Sequence, residues 1–281
     1  MTGLPKDWAV WTRVSAGGGP AMDLMHAQLV RRSYAPHMHE EFAVGACTVG
    51  REVVCYRGEA HYAGPGTLVV VEPEEVHTGA PARRAGFAYR VMYPSAALLG
   101  ELAGSPGRRT RFRDLVIHDP PLARELCAVH AAMARRTGGV DALEVEARLC
   151  GVLATLVRRH AVPGPDGQAR PVGAVAHRVM ARLGDQVVDP PSLAEIAAGL
   201  GLSRYQLVRA FRAEVGMPPY AWLAQHRVAR ARGLLERGAR PSELAAAVGF
   251  ADQAHLTRWF RRVLGVTPGA FRNSVQDIAV V

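Results

Sequence analysis

Long apolar runs are missing from this chain of 281 residues. No stretch approaches the roughly 18 residues that a membrane span needs. The opening Met1-Thr-Gly-Leu-Pro-Lys6-Asp7-Trp8 lacks the apolar core of a signal peptide. Cysteine is scarce: Cys47, Cys55, Cys127 and Cys150 contain no C-x-x-C pair and are too few for a disulfide scaffold. Lysine is nearly absent, since every basic residue except Lys6 is arginine. There is no G-x-S-x-G, no P-loop and no dinucleotide-binding G-x-G-x-x-G. These absences argue against the corresponding hydrolase, nucleotidase and dehydrogenase classes and predict a soluble, cytoplasmic protein with idle or buried thiols.

What is present is ordinary globular composition, 49% hydrophobic and 21% charged, with a formal net charge of +9. That excess is uneven. Residues 171–281 carry 14 basic and 8 acidic side chains, so about two thirds of the net charge sits in the last two fifths of the chain. A basic C-terminal region suggests a polyanionic partner, although charge alone does not name it.

The chain divides at residues 161–173, where three prolines and three glycines can continue neither helix nor strand. Before it, Val44–Cys47, Val53–Tyr56, Leu68–Val71 and Phe87–Met92 are short apolar or alternating runs separated by Gly/Pro turns. Such runs predict a β-barrel or sandwich over 23–120. Residues 1–22, with Gly17-Gly18-Gly19-Pro20, read as an irregular N-terminal arm. From Leu122 the period changes to that of helices, and Gly138-Gly139 splits the segment into a hairpin over 121–160. Its apolar stripes suit packing on the barrel and a dimer interface equally.

Beyond the linker the sequence repeats itself. Phe211/Phe260, Gly216/Gly265 and Pro219/Pro268 are each 49 residues apart, and Gly201/Gly249 are 48 apart. In the first copy Ser192-x-x-Glu195 is a capping box opening a helix, Gly201 suits a left-handed turn, and Ser203-x-x-Gln206 caps a second helix. In the second copy Pro241 suits a first helical turn, Ala245 is the small residue at a helix crossing, Gly249 makes the turn and Asp252 caps. Residues 219–237 read as one long helix between the copies, with Tyr220, Leu223, Val228, Leu234 and Leu235 as its core positions. Each second helix turns Leu and Phe inward. Outward lie Arg204, Tyr205, Gln206, Val208, Arg209 and Arg212 in the first copy, and Gln253, Ala254, Thr257, Arg258 and Arg261 in the second. Arg matches guanine edges and Gln matches adenine, so two helix-turn-helix units in the basic region predict a reader of double-stranded DNA.

The stretch from Gly249 to Pro268 closely resembles the C-terminal motif of the AraC/XylS family of bacterial transcription regulators, and the resemblance covers about residues 172–272. It implies an all-α tandem helix-turn-helix domain over 174–273, followed by a short tail over 274–281, with two recognition helices in successive major grooves. The base-facing positions it implies are Tyr205, Val208 and Arg209, then Gln253, Ala254 and Arg258. It further implies promoter DNA and RNA polymerase as partners, a homodimer, and activation more often than repression.

The N-terminal region resembles the cupin barrel that forms the effector-binding arm of many such regulators. His37, His39 and Glu41 alternate onto one face of an extended segment, and His77 stands in a second turn-rich stretch. These four are the candidate effector ligands. His37, His39 and His77 are also candidate ligands of a divalent metal, though Ala43 and Val44 stand where the metal-binding cupin pattern has a glutamate. Hydrogen bonding to an effector and metal ligation both remain open. The alternative from a different class is a metal-dependent cupin dioxygenase or isomerase with an incidental basic helical domain.

Overall fold

The computed structural model describes residues 6–14, 21–106, 109–135, 142–163 and 173–276. The chain folds as two units, one formed mainly by residues up to Ser33 and Met38–Gln168, the other by Tyr34–His37 and Ala169–Asp277.

The first unit is rich in sheet, as its alternating runs predict. Strands β1 (Trp8–Val14), β2 (Met22–Leu29), β3 (Ala43–Gly50), β4 (Glu52–Tyr56), β5 (Glu59–Ala63), β6 (Thr67–Val71), β7 (Ala80–Pro81) and β8 (Phe87–Tyr93) follow one another, with no helix between them among the described residues. Then come α1 (Ala96–Leu102), β9 (Thr110–Phe112), β10 (Val116–His118), α2 (Pro120–Arg135), α3 (Ala142–His160) and β11 (Ala161–Pro163). Six strands pair in the order β1-β2-β8-β3-β6-β10, three in the order β5-β4-β7, and β11 pairs with β9. The two-residue period of a strand sorts the large sheet into two faces. Leu24, Val44, Ala46, Leu68, Val70 and Met92 form one core with Leu122, Leu126 and Val129 of α2 and Leu149, Leu153 and Leu156 of α3. The opposite parity places Trp11, Met25, Ala27, Cys47, Tyr89, Val91 and Tyr93, all buried, on the other face. The helical hairpin therefore covers the sheet.

Two sequence expectations are corrected here. Residues 8–14 of the expected irregular arm form β1, paired with β2 from Trp8↔Gln28 to Val14↔Met22. Trp, Val and Thr suit a pleated surface, and that preference outweighs the glycines that follow. Likewise Ala161–Pro163, expected in the linker, forms β11 against β9. Pro163 sits at the strand's end, where a missing N–H costs least. Residues 1–5, Gly17 to Pro20, Gly138-Gly139 and the rest of the linker to residue 172 lie outside the described residues.

The second unit is all helical: α4 (Ala174–Asp185), α5 (Leu193–Ala198), α6 (Arg204–Val215), α7 (Pro219–Glu236), α8 (Pro241–Ala247), α9 (Gln253–Leu264) and α10 (Pro268–Gln276). The last of these runs three residues into the expected tail. Long α7 packs against α4, α6, α8, α9 and α10. Leu207, Phe211, Ala231, Leu235, Leu256, Phe260 and Phe271 are fully buried, and α7 packs against helices of both repeat copies. Tyr220, expected in that core, is instead 66% exposed on the first turn of α7. Trp222, two residues on, is the buried aromatic there.

Because Leu153 on α3 is fully buried between hairpin and sheet, Leu153→Ala is expected to cost about 2–5 kcal/mol. Urea unfolding of the first unit reads this directly. A loss below about 1 kcal/mol would mean that the hairpin is not an integral layer of that core.

Candidate nucleic-acid interface and effector site

In the second unit each outward-facing helix is held at its start by a side-chain cap. Ser203 Oγ accepts from the Gln206 N–H at 3.2 Å, while Gln206 Oε1 accepts from the Ser203 N–H at 2.9 Å. Gln206 is thus committed through its carbonyl oxygen to the first turn of α6. Asp252 Oδ1 accepts from the His255 N–H at 2.6 Å and opens α9. The same capping box recurs between Ser192 and Glu195 at the start of α5. The reverse turns fall at Gly201 and Gly249, with φ of 66° and 86°, a region that side chains with a Cβ seldom enter.

With Leu207 and Phe211 buried, α6 leaves Arg204, Tyr205, Gln206, Arg209 and Arg212 exposed and Val208 half-exposed. With Leu256 and Phe260 buried, α9 leaves Gln253, Ala254, Arg258 and Arg261 exposed and Thr257 half-exposed. All eleven sequence-predicted positions therefore lie on accessible faces of the two helices. Among the described residues, none of these five arginines is engaged by a carboxylate. Tyr205 is 73% exposed, and the Arg209 guanidinium lies 5.9 Å from its ring centroid. A stacked, uncompensated guanidinium on a capped helix is chemically suited to guanine edges and phosphates.

In the first unit a backbone hydrogen bond from the Glu74 N–H to the His39 carbonyl, 2.7 Å, ties the two histidine-bearing stretches together. The His39 and His77 rings lie 5.0 Å apart, and His39 lies 5.1 Å from the Tyr93 ring, which stacks on Trp11. His37 lies in the Tyr34–His37 stretch that groups with the second unit, so His39 and His77 are the sequence-predicted histidines that the first unit itself brings together. The Nδ1 of His37 is 2.8 Å from the Ala35 carbonyl, and that of His77 is 3.0 Å from the Glu75 carbonyl. A carbonyl only accepts, so in both rings Nδ1 carries the proton, and in the neutral His77 ring Nε2 carries the lone pair. That arrangement fits metal ligation, in which the second ring nitrogen donates to a carbonyl, and it fits a hydrogen-bond donor on an effector equally. Burial holds His77 down to about 4, against the weaker opposing pull of the Glu75 carbonyl and carboxylate. Glu41 is half-buried in the bend before β3.

Sequence reasoning misses several buried polar groups. Glu52, on the first position of β4, is 8% exposed, and burial pushes its carboxyl up to about 8. The alternation of its strand is legible, but an inward position is expected to be apolar. Glu72 accepts from the Phe112 N–H at 3.0 Å and lies 3.4 Å from Arg111, a structural tie between the end of β6 and β9. His130, on α2, is 3.1 Å from the Met25 carbonyl and 3.2 Å from Arg90. Burial first, then the Arg90 charge, hold it down to about 4.

The Glu52 and His130 shifts have opposite consequences. Glu52 retains a proton in the fold that the unfolded chain releases above its ordinary value of 4.5, so its contribution to stability falls as pH rises toward 8. His130 stays neutral in the fold while the unfolded chain protonates below 6.5, so stability falls as pH drops toward 4. The first unit is therefore expected to be most stable in a window between these limits. In thermal melts, Glu52→Gln should flatten the alkaline side alone; an unchanged alkaline slope would contradict the assignment.

Comparison with known proteins places both regions. Residues 19–153 match the model for an AraC-like ligand-binding domain, and residues 196–274 match that for a helix-turn-helix domain. An uncharacterised helix-turn-helix-type regulator of Bacillus subtilis, YbfI, is 24% identical over 238 residues, 81% of this chain and 82% of the relative. The arabinose operon regulatory protein of Escherichia coli is 31% identical over 93 residues, 31% of this chain and 32% of the relative. Among solved structures, apo ToxT K231A of Vibrio cholerae superposes with a TM-score of 0.58 at 10% identity, covering 90% of this chain and 97% of that one. With an AraC-like ligand-binding domain followed by a DNA-binding helix-turn-helix domain, the chain belongs to the AraC family of transcription regulators.

Proposed function

We propose that this protein reads promoter DNA sequence-specifically through both α6 and α9 under the control of a small molecule bound in the first unit. The carrying observation is the pair of capped helices whose exposed arginines have no carboxylate partner among the described residues, in the region holding most of the excess charge. Arg209 and Arg258 act as base readers, with Tyr205 and Gln253 beside them. Val208 and Ala254 offer only apolar contact, suited to a thymine methyl. Arg204, Gln206, Arg212, Thr257 and Arg261 flank these positions and suit phosphates. A homodimer that engages RNA polymerase, with activation as the outcome, completes the reading by family likeness. An effector switches the protein only by binding one arrangement more tightly than the other.

His37, His39, Glu41 and His77 are the proposed effector ligands. A second reading is favoured by the His39 and His77 rings, 5.0 Å apart in the first unit, since imidazole nitrogens suit a divalent metal. Elemental analysis of the purified protein separates the two. Metal near one equivalent, lost in His39→Ala and His77→Ala, would assign a metal site. Its absence from wild type would leave the imidazoles as direct effector contacts. The enzymatic alternative has no support from the relatives, which are regulators.

Arg209→Ala and Arg258→Ala are each expected to cost about 1–3 kcal/mol on a selected duplex and to relax base preference at one position. Arg212→Ala and Arg261→Ala should weaken binding evenly across sequences and lower the salt slope by about 1. Titration of fluorescent duplexes at two salt concentrations reads both. Wild-type binding by all four variants would overturn the assignment of α6 and α9.

A further inference from the structure

Arg227 projects from the middle of α7, and three pieces of chain meet at its side chain. Its Nε donates to the Val187 carbonyl at 2.9 Å and its Nη2 to the Val188 carbonyl at 3.4 Å. Both carbonyls belong to the connection between α4 and α5, at the entrance to the first helix-turn-helix. The guanidinium carbon also sits 5.7 Å from the ring centroid of Phe250, in the turn between α8 and α9 of the second. Val187 and Phe250 are buried. Gly249, next to Phe250, closes the junction from the other side. A Cβ there would meet the Val187 carbonyl oxygen at 2.7 Å, the Val188 Cα at 2.8 Å and Arg227 Nη2 at 2.9 Å. The backbones of the two helix-turn-helix motifs thus approach each other as closely as glycine allows.

Among the described residues, no carboxylate neutralises Arg227 in this junction. The guanidinium's partners are two carbonyls and a ring, so what it contributes is geometry, fixed by a rigid planar fork. The apolar core alone could tolerate small shifts of one motif against the other. Hydrogen bonds with fixed directions, reaching from α7 to the entrance of the first motif while stacked on the turn of the second, tolerate fewer.

We propose that Arg227 is a positioning residue that fixes the spacing between α6 and α9, and with it the spacing of the two half-sites that the protein accepts on DNA. This rests on the reading that both helices contact DNA. Two helices held rigidly engage two grooves as one event, and only at one separation. Loosening the junction turns the second contact into a tethered one, weaker but more tolerant of spacing. Each recognition helix keeps its own cap and core, so contacts within a half-site persist.

The test uses the full-length protein and a duplex selected by the wild type from a random pool, together with copies carrying one or two base pairs inserted between the half-sites. Wild type is expected to lose about a hundredfold in affinity on insertion. Arg227→Ala should bind the unaltered site about tenfold more weakly yet lose only a few-fold on insertion. Arg227→Lys, which keeps a donor but not the fork, should fall between. Phe250→Leu removes the ring and retains an apolar side chain, so it tests the junction even where Arg227→Ala does not fold. A folded Arg227→Ala, or Phe250→Leu in its place, that keeps the full insertion penalty overturns the proposal. A wild type that selects no two-part site overturns the two-helix reading and this inference together.

Discussion

The burial of α7 between two copies of the same motif is the constraint on which the second unit depends. An isolated helix-turn-helix has little core of its own, and here α7 packs against α6 of one copy and α9 of the other, with Leu207 and Phe211 buried on α6, Leu256 and Phe260 on α9, and Val228, Ala231 and Leu235 on α7. Burying those side chains on one side obliges the polar ones to the other. The Arg-rich faces of α6 and α9 are therefore the complement of their buried faces. Caps at Ser203 and Asp252 then fix where each face begins. Stability and the proposed recognition derive from the same periodicity, read on opposite sides of each helix.

The first unit solves a different problem. Its large sheet has apolar residues on both faces, and α2 and α3 cover only one. The other face collects Trp11, Tyr89, Tyr93 and Cys47, while Glu52 on β4 and His77 beside Tyr56 are buried among neighbouring strands. Buried titratable groups are costly unless they are satisfied or serve a ligand. Glu52, His77 and His130, displaced from their ordinary ranges chiefly by burial, distinguish this unit from an inert sandwich.

The repeat makes the second unit legible. Periodicity, capping boxes and turn glycines agree at every level, and the helices of both copies occur where those signals place them. Tyr220 departs from expectation because an aromatic at a helix start satisfies an apolar pattern whether or not anything covers it. In the first unit, strands with clean alternation are readable, whereas β1 is masked by the glycines that follow it, and β11 by the prolines around it. His39 and His77 come together through a backbone hydrogen bond between two turns, which no local pattern encodes. Arg227 is invisible to sequence reading for the same reason: its partners lie about 40 and 23 residues away, and its own segment reads simply as one long helix.

Hydroxyl-radical footprinting of the full-length protein on its selected duplex tests the central claim most directly. Two helices reading successive major grooves predict two protected patches about one helical turn apart on one face of the DNA, persisting at moderate salt. A single patch, or diffuse protection that disappears as salt rises, would contradict it.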